Sequence, residues 1–258
     1  MFKRQFEKMM LPVAAFVPIL VAGILVTSPR GLAQSAGASF DPVRVEQGLD
    51  IAPVPLTYPK EYRNLVGFGS WLVNAVGDCN GCHNGGSAPN FNYAPGGNPY
   101  FSQKTKVDPT VYMAGGQDFG QVTVDPNTFQ FIGPHIISRN LTPDYTGRAE
   151  GGNTFEQFLQ IIRHGTDLDH LHPPCSTAPS NPNCLLAIPD VNPVDGNLLQ
   201  VMPWPVFNNM STQDLLAIYT YLSSIPCITG PATPADLPPT AQYAFKVLHS
   251  DCTPPKKN

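Results

Sequence analysis

Cys79-Asn80-Gly81-Cys82-His83 constrains this chain more than any other stretch. Two cysteines separated by two residues and followed at once by histidine form the attachment signature of a c-type haem. The spacing fits the chemistry. Two thiols bond the haem vinyl groups, and the adjacent imidazole is placed to ligate the iron from one face. The motif occurs once, so one haem is expected. Other readings of Cys-x-x-Cys find no support. A zinc site needs a second Cys-x-x-Cys or a spaced histidine pair, and a thioredoxin-like redox pair needs a βαβ setting.

Residues 1–33 read as an export signal. Lys3, Arg4 and Lys8 are basic, Met9 to Val26 is apolar apart from Pro12 and Pro18, and Gly31-Leu32-Ala33 is a small-residue cleavage site. The alternative is an uncleaved membrane anchor, for which the apolar run is just long enough. Haem c is attached outside the cytoplasm, so signal and motif agree on a periplasmic or extracytoplasmic location. Cutting after Ala33 leaves 11 basic against 18 acidic residues, a net charge near −7. That argues against nucleic acid, which selects a basic face, and suits a basic or neutral redox partner. Only 13% of residues are charged and 29 of 258 are proline, so long ordered loops are expected.

The remaining cysteines are Cys175, Cys184, Cys227 and Cys252, an even number in an oxidising compartment. Three pairings are open. Proximity favours Cys175–Cys184 across a short loop, with Cys227–Cys252 then pinning the tail to the end of the last helix.

Between the ends, Ala36 to Tyr58 is aperiodic and reads as a linker or wrapped arm. From Tyr62 to Asp78 the pattern is helical, with Leu65, Phe68, Leu72 and Val76 on one face. Gly69 sits inside that helix, where a close crossing would explain it. Gln121 to Val124 and Phe129 to Ile132 predict a small β-hairpin. Thr154-x-x-Gln157 is a capping-box start for a second helix, and Gly165 is its stop. Ser211-x-x-Asp214 caps a third helix lined by Leu215, Ile218, Tyr219 and Leu222 and ended by Pro226.

A c-type haem needs something on its second face. Methionine there gives an electron carrier of high potential, histidine a lower potential, and an open position gives ligand binding or catalysis. Met202 is followed by Pro203, Trp204 and Pro205, a stiff segment just before the last helix. It is the expected ligand, with Trp204 placed to cover the haem and donate its indole N–H to a propionate. Met210 fits better as a hydrophobic staple beside Ser211. Met113 lies in a loop, and His164 reads as a helix-end partner of the dipole. His170 and His172 read as surface residues, and His135 and His249 have no ligand-like context.

The order of these parts resembles a class I c-type cytochrome. The resemblance rests on the Cys79-x-x-Cys82-His83 helix, the Met202-Pro203 loop and a terminal helix with Tyr219-x-Tyr221-Leu222. It is closer to one branch, the periplasmic cytochrome subunits of membrane-bound dehydrogenases. That likeness is carried by Ala114-Gly115-Gly116, Asn140-Leu141-Thr142-Pro143-Asp144, Thr154-Phe155, Arg163-His164-Gly165 and Met202-Pro203-Trp204. The resemblance implies an all-α fold around one covalently attached haem c, with first and last helices crossing. It implies His83 and Met202 as iron ligands and a haem-edge loop at Arg139 and Asn140. The insertion with Cys175 and Cys184 and the tail after Cys227 depart from the common pattern. The expected division is a signal or anchor at 1–33, a linker at 34–60, a haem domain at 61–227 and a Pro-rich tail at 228–258.

The expected function is electron transfer between redox partners, among them a membrane-bound dehydrogenase or a respiratory or photosynthetic complex, with no substrate chemistry. The rivals are a peroxidase-like haem enzyme with a labile distal ligand and a fixed electron-transfer subunit of a membrane complex.

Overall fold

The computed structural model describes residues 39–124, 127–168, 198–230 and 249–256. The export signal, His170, His172, Cys175 and Cys184 lie outside the described residues. Among the described residues no helix is long and apolar enough to cross a membrane.

The stretch read as a linker contains a helix, α1, over Pro42–Ile51. The Asp41 carboxylate accepts the Val43 N–H at 3.0 Å, and Pro42 stands in the first turn, where no donor is needed. Only Val45 and Gly48 of α1 are buried, so it has no broad apolar stripe.

The helix expected over Tyr62 to Asp78 is three pieces. A 3₁₀ turn, Lys60–Tyr62, leads into α2, Arg63–Trp71. A π-turn, Leu72–Val76, follows, with Gly77 N–H donating to the Leu72 carbonyl at 2.7 Å. Asp78 then takes the left-handed conformation (φ 44°) and starts α3, Cys79–His83. Of the expected face, Leu65, Phe68 and Leu72 are buried, whereas Val76 is 59% exposed. Val66 and Val73 are buried as well, so this segment is covered on more than one side.

The hairpin is longer than its β-propensity suggests. Strand β1, Asp118–Val124, pairs antiparallel with β2, Phe131–Ile137, and Val124 faces Phe131 across the turn. Helix α4, Phe155–His164, has the expected capping box, with Thr154 Oγ1 accepting Gln157 N–H at 3.2 Å and Gln157 Oε1 accepting Thr154 N–H at 2.8 Å. Gly165 (φ 66°) ends it. A short helix, α5, covers Trp204–Phe207. Ser211 caps α6, Thr212–Leu222, by accepting Asp214 N–H at 3.0 Å.

Helices α1, α2 and α6 cross at glycines. A Cβ on Gly69 would stand 2.0 Å from the Ala217 carbonyl oxygen of α6, and one on Gly48 1.9 Å from that of Gly67. The backbones touch there, and no other residue fits without displacing a helix. Beside the crossing, Tyr112, Asn74 and Tyr221 close a buried ring. Tyr112 Oη–H donates to Asn74 Oδ1 (2.6 Å), Asn74 Nδ2–H donates to Tyr221 Oη (3.1 Å), and Tyr221 Oη–H then donates to Tyr112 Oη (2.7 Å). That direction follows because an amide oxygen only accepts. Burial raises both phenols above their ordinary range and keeps them protonated.

A disulfide joins Cys227 to Cys252, just past the end of α6. It brings the last described residues onto the loop before α4. Ser250 is fully buried and donates its hydroxyl to the Thr142 carbonyl at 3.1 Å. That part of the tail is packed structure.

Candidate haem site

Cys79, Cys82 and His83 line one cavity of about 440 Å³, and Met202 lines it too. That size falls within the range of small-molecule and cofactor sites. Its walls come from four places. The π-turn and α3 give Leu72, Val76 and the cysteines. The end of β2 and the strand-like segment after it give Ile136 to Arg139. Helix α4 gives Phe158, Ile161 and Ile162. The segment from Leu199 to Met210 gives a fourth wall, with Leu215, Ile218 and Leu222 of α6 behind it, and Phe119, Leu141, Glu150 and Asp167 complete the lining.

His83 is held from two sides. Its Nδ1 lies 2.9 Å from the Arg139 carbonyl oxygen. A carbonyl only accepts, so Nδ1 carries the proton and the lone pair is on Nε2. Its own carbonyl accepts the Gly115 N–H at 2.8 Å. Gly115 (φ 70°) lies so close to the Arg139–Asn140 peptide that a Cβ there would come within 2.5 Å of it. The segment around Ala114-Gly115-Gly116 is thus pressed between the histidine and the carbonyl that orients it. Burial pushes the His83 imidazole below its ordinary value, favouring the neutral form that ligates metal.

The two thiols are unpaired. Burial, and next the charge of Asp78, push the Cys79 thiol up to about 12. The Cys82 thiol is raised for the same two reasons. Redox-active Cys-x-x-Cys pairs need the opposite, a lowered thiol. A Cβ on Gly81 would stand 2.5 Å from the Asp78 carboxylate, which would have to turn aside.

Met202 sits between two three-residue turns. Its N–H donates to the Gln200 carbonyl at 2.7 Å, and its carbonyl accepts the Trp204 N–H at 2.8 Å. The first turn puts Val201 at φ 67°, a rare conformation for a β-branched residue. Such strain costs about 1–3 kcal/mol and persists only where the surroundings hold it.

Other expected residues fall elsewhere. Trp204 does not line the cavity, and its ring lies against Gly165. Its two-residue offset from Met202 and the intervening turn at Pro203 turn it towards α4. Asn140 is buried away from the cavity. Its Nδ2 donates to the Ile228 carbonyl at 2.8 Å and its Oδ1 accepts Thr142 Oγ1–H at 2.7 Å, so it ties the tail to the loop. Arg139 does line the cavity, its guanidinium paired with Asp167. Met210 packs in the core beside the α6 cap and also reaches the cavity wall. Met113 is wholly buried in the core, and His164 and His249 are exposed. Asp167, Val201 and Val206 also line the site without having been singled out by sequence. The signal for Asp167 was a lone carboxylate two residues after a helix stop.

The residues present fit a covalently attached haem: two protonated thiols, an imidazole with its outer nitrogen bonded and its other nitrogen unprotonated, a thioether, and largely apolar walls. The Arg139 cation at the wall is already paired with the Asp167 carboxylate. Compared with known protein families, with curated proteins and with solved structures, the chain matches none.

Proposed function

We propose that this chain is a monohaem c-type cytochrome of the class I kind, which passes electrons between redox partners outside the cytoplasm. One observation carries the reading: the attachment triplet Cys79, Cys82 and His83 shares a single apolar cavity with Met202. Haem c bound there supplies one-electron chemistry at its iron. The chain's own work is to hold, orient and shield. Cys79 and Cys82 anchor by thioether bonds. His83 offers Nε2, with its ring angle fixed by the Arg139 carbonyl. Met202 offers its sulfur from the loop wall. Phe158, Ile161 and Leu215 exclude water.

Val76, Val201 and Val206 add apolar side chains to the cavity wall, which suits the largely apolar face of a porphyrin.

The test is expression in a host that attaches haem c. The denatured protein should stay red and carry the mass of one haem. Met202→Ala should lower the potential and admit carbon monoxide to the ferrous protein. Haem removed by acid-acetone would overturn the attachment. Rapid carbon monoxide binding by the unaltered protein, with peroxide turnover, would favour the enzyme.

A further inference from the structure

The segment that carries Met202 rests on the C-terminal turn of α4 at three points. Leu199 N–H donates to the Gly165 carbonyl at 2.6 Å, and Leu198 bridges Thr166. The Trp204 ring covers Gly165 so closely that a Cβ there would stand 2.4 Å from both Cε2 and Nε1. Arg163 Nη2 donates to Thr212 Oγ1 at 2.8 Å, where the segment enters α6. Met202 lies between the first two contacts in sequence, next to the φ-positive turn at Val201, a strained conformation that needs its surroundings to hold it.

We propose that Gly165 is a positioning residue for Met202: its missing side chain seats Trp204, and that seat sets the methionine against the cavity. The proposal rests on the reading of Met202 as an iron ligand. Gly165 thereby has a duty beyond ending a helix. Its positive φ could be met, at some strain, by another residue, but the space under Trp204 could not. An added methyl group must push the ring away, and the ring is two residues from Met202 with one hydrogen bond between them.

The experiment compares haem-loaded Gly165→Ala with Gly147→Ala. Gly147 has a similar φ of 77° and nothing within 4 Å of a Cβ, so it carries the backbone strain without the collision. Three readouts follow the ligand bond: carbon monoxide binding by ferrous protein, the reduction potential, and the methionine-to-ferric charge-transfer band. Gly165→Ala should bind carbon monoxide at least tenfold more tightly, as the open fraction grows, show a weaker band and fall in potential. Gly147→Ala should change none of the three. Equal behaviour of the two variants overturns the proposal. Should Gly165→Ala not accumulate, Trp204→Leu decides: an opened site supports the seat, and unchanged ligand binding overturns it. Met202→Ala separates the two levels. If it opens the site while Gly165→Ala is silent, the positioning role alone is lost; if it too is silent, the ligand assignment fails and this proposal with it.

Discussion

Around Gly48, Gly67 and Gly69 the chain packs backbone against backbone, and side chains are absent because there is no room for them. Around Cys79, His83 and Met202 it does the reverse. Large apolar side chains surround about 440 Å³ that the chain does not fill with itself, and several stay half in solvent. The crossing is specified by what the sequence leaves out, the cavity by what it presents and does not cover. Stability resides chiefly in the first kind of region, since close packing tolerates no added volume. Function is expected of the second, where apolar walls enclose space that the chain's own side chains do not occupy.

Three substitutions probe that contrast by chemical denaturation. The largest effect is expected at the crossing. Gly69→Val places atoms on the Ala217 carbonyl and should cost about 3 kcal/mol or more. A loss under about 1 kcal/mol would mean that α6 slides freely past α2. Tyr221→Phe is intermediate. It opens the buried ring, but Tyr112 still donates to Asn74, and Asn74 still bonds the Ser70 carbonyl at 3.0 Å. A cost near 1 kcal/mol is expected, because the groups left behind keep partners. The smallest effect is at the cavity mouth. Val206→Ser, at a side chain 67% exposed, should change stability by no more than about 0.5 kcal/mol. A larger loss would make Val206 part of the fold and erase the distinction drawn here.

The sequence made some of this visible and hid the rest for physical reasons. Thr154 with Gln157, Ser211 with Asp214, and Gly165 announced helix ends because those hydrogen bonds span three or four residues. Cys79, Cys82 and His83 were legible because the proposed haem attachment requires that spacing. Helix α1 was missed because its buried face is little more than Val45 and Gly48, and its one signal was the Asp41-Pro42 start. The hairpin was read too short because Gly133 and Pro134 interrupt β2. The Arg139 carbonyl that orients His83 lies 56 residues away and is a backbone group, which no residue identity encodes. Asn140 and Trp204, expected near the haem, lie outside the cavity lining, Asn140 bonded to the Ile228 carbonyl and Trp204 against Gly165.

The π-turn at Leu72–Val76 holds one residue more than a continuous α-helix would need between the crossing and the cysteines. Each residue of an α-helix advances the chain by about 100° of rotation. The extra residue therefore works as a phase setting. Gly69 is kept facing α6 while Cys79 and His83 line the cavity on the far side of the Gly77-Asp78 break. Losing one residue from this turn would leave composition and hydrophobicity almost untouched, yet rotate the chain entering Gly77 and Asp78 by more than a quarter of a circle, which that break would have to absorb to keep Cys79 and His83 at the cavity. In this segment a single-residue deletion would therefore do more harm than most substitutions.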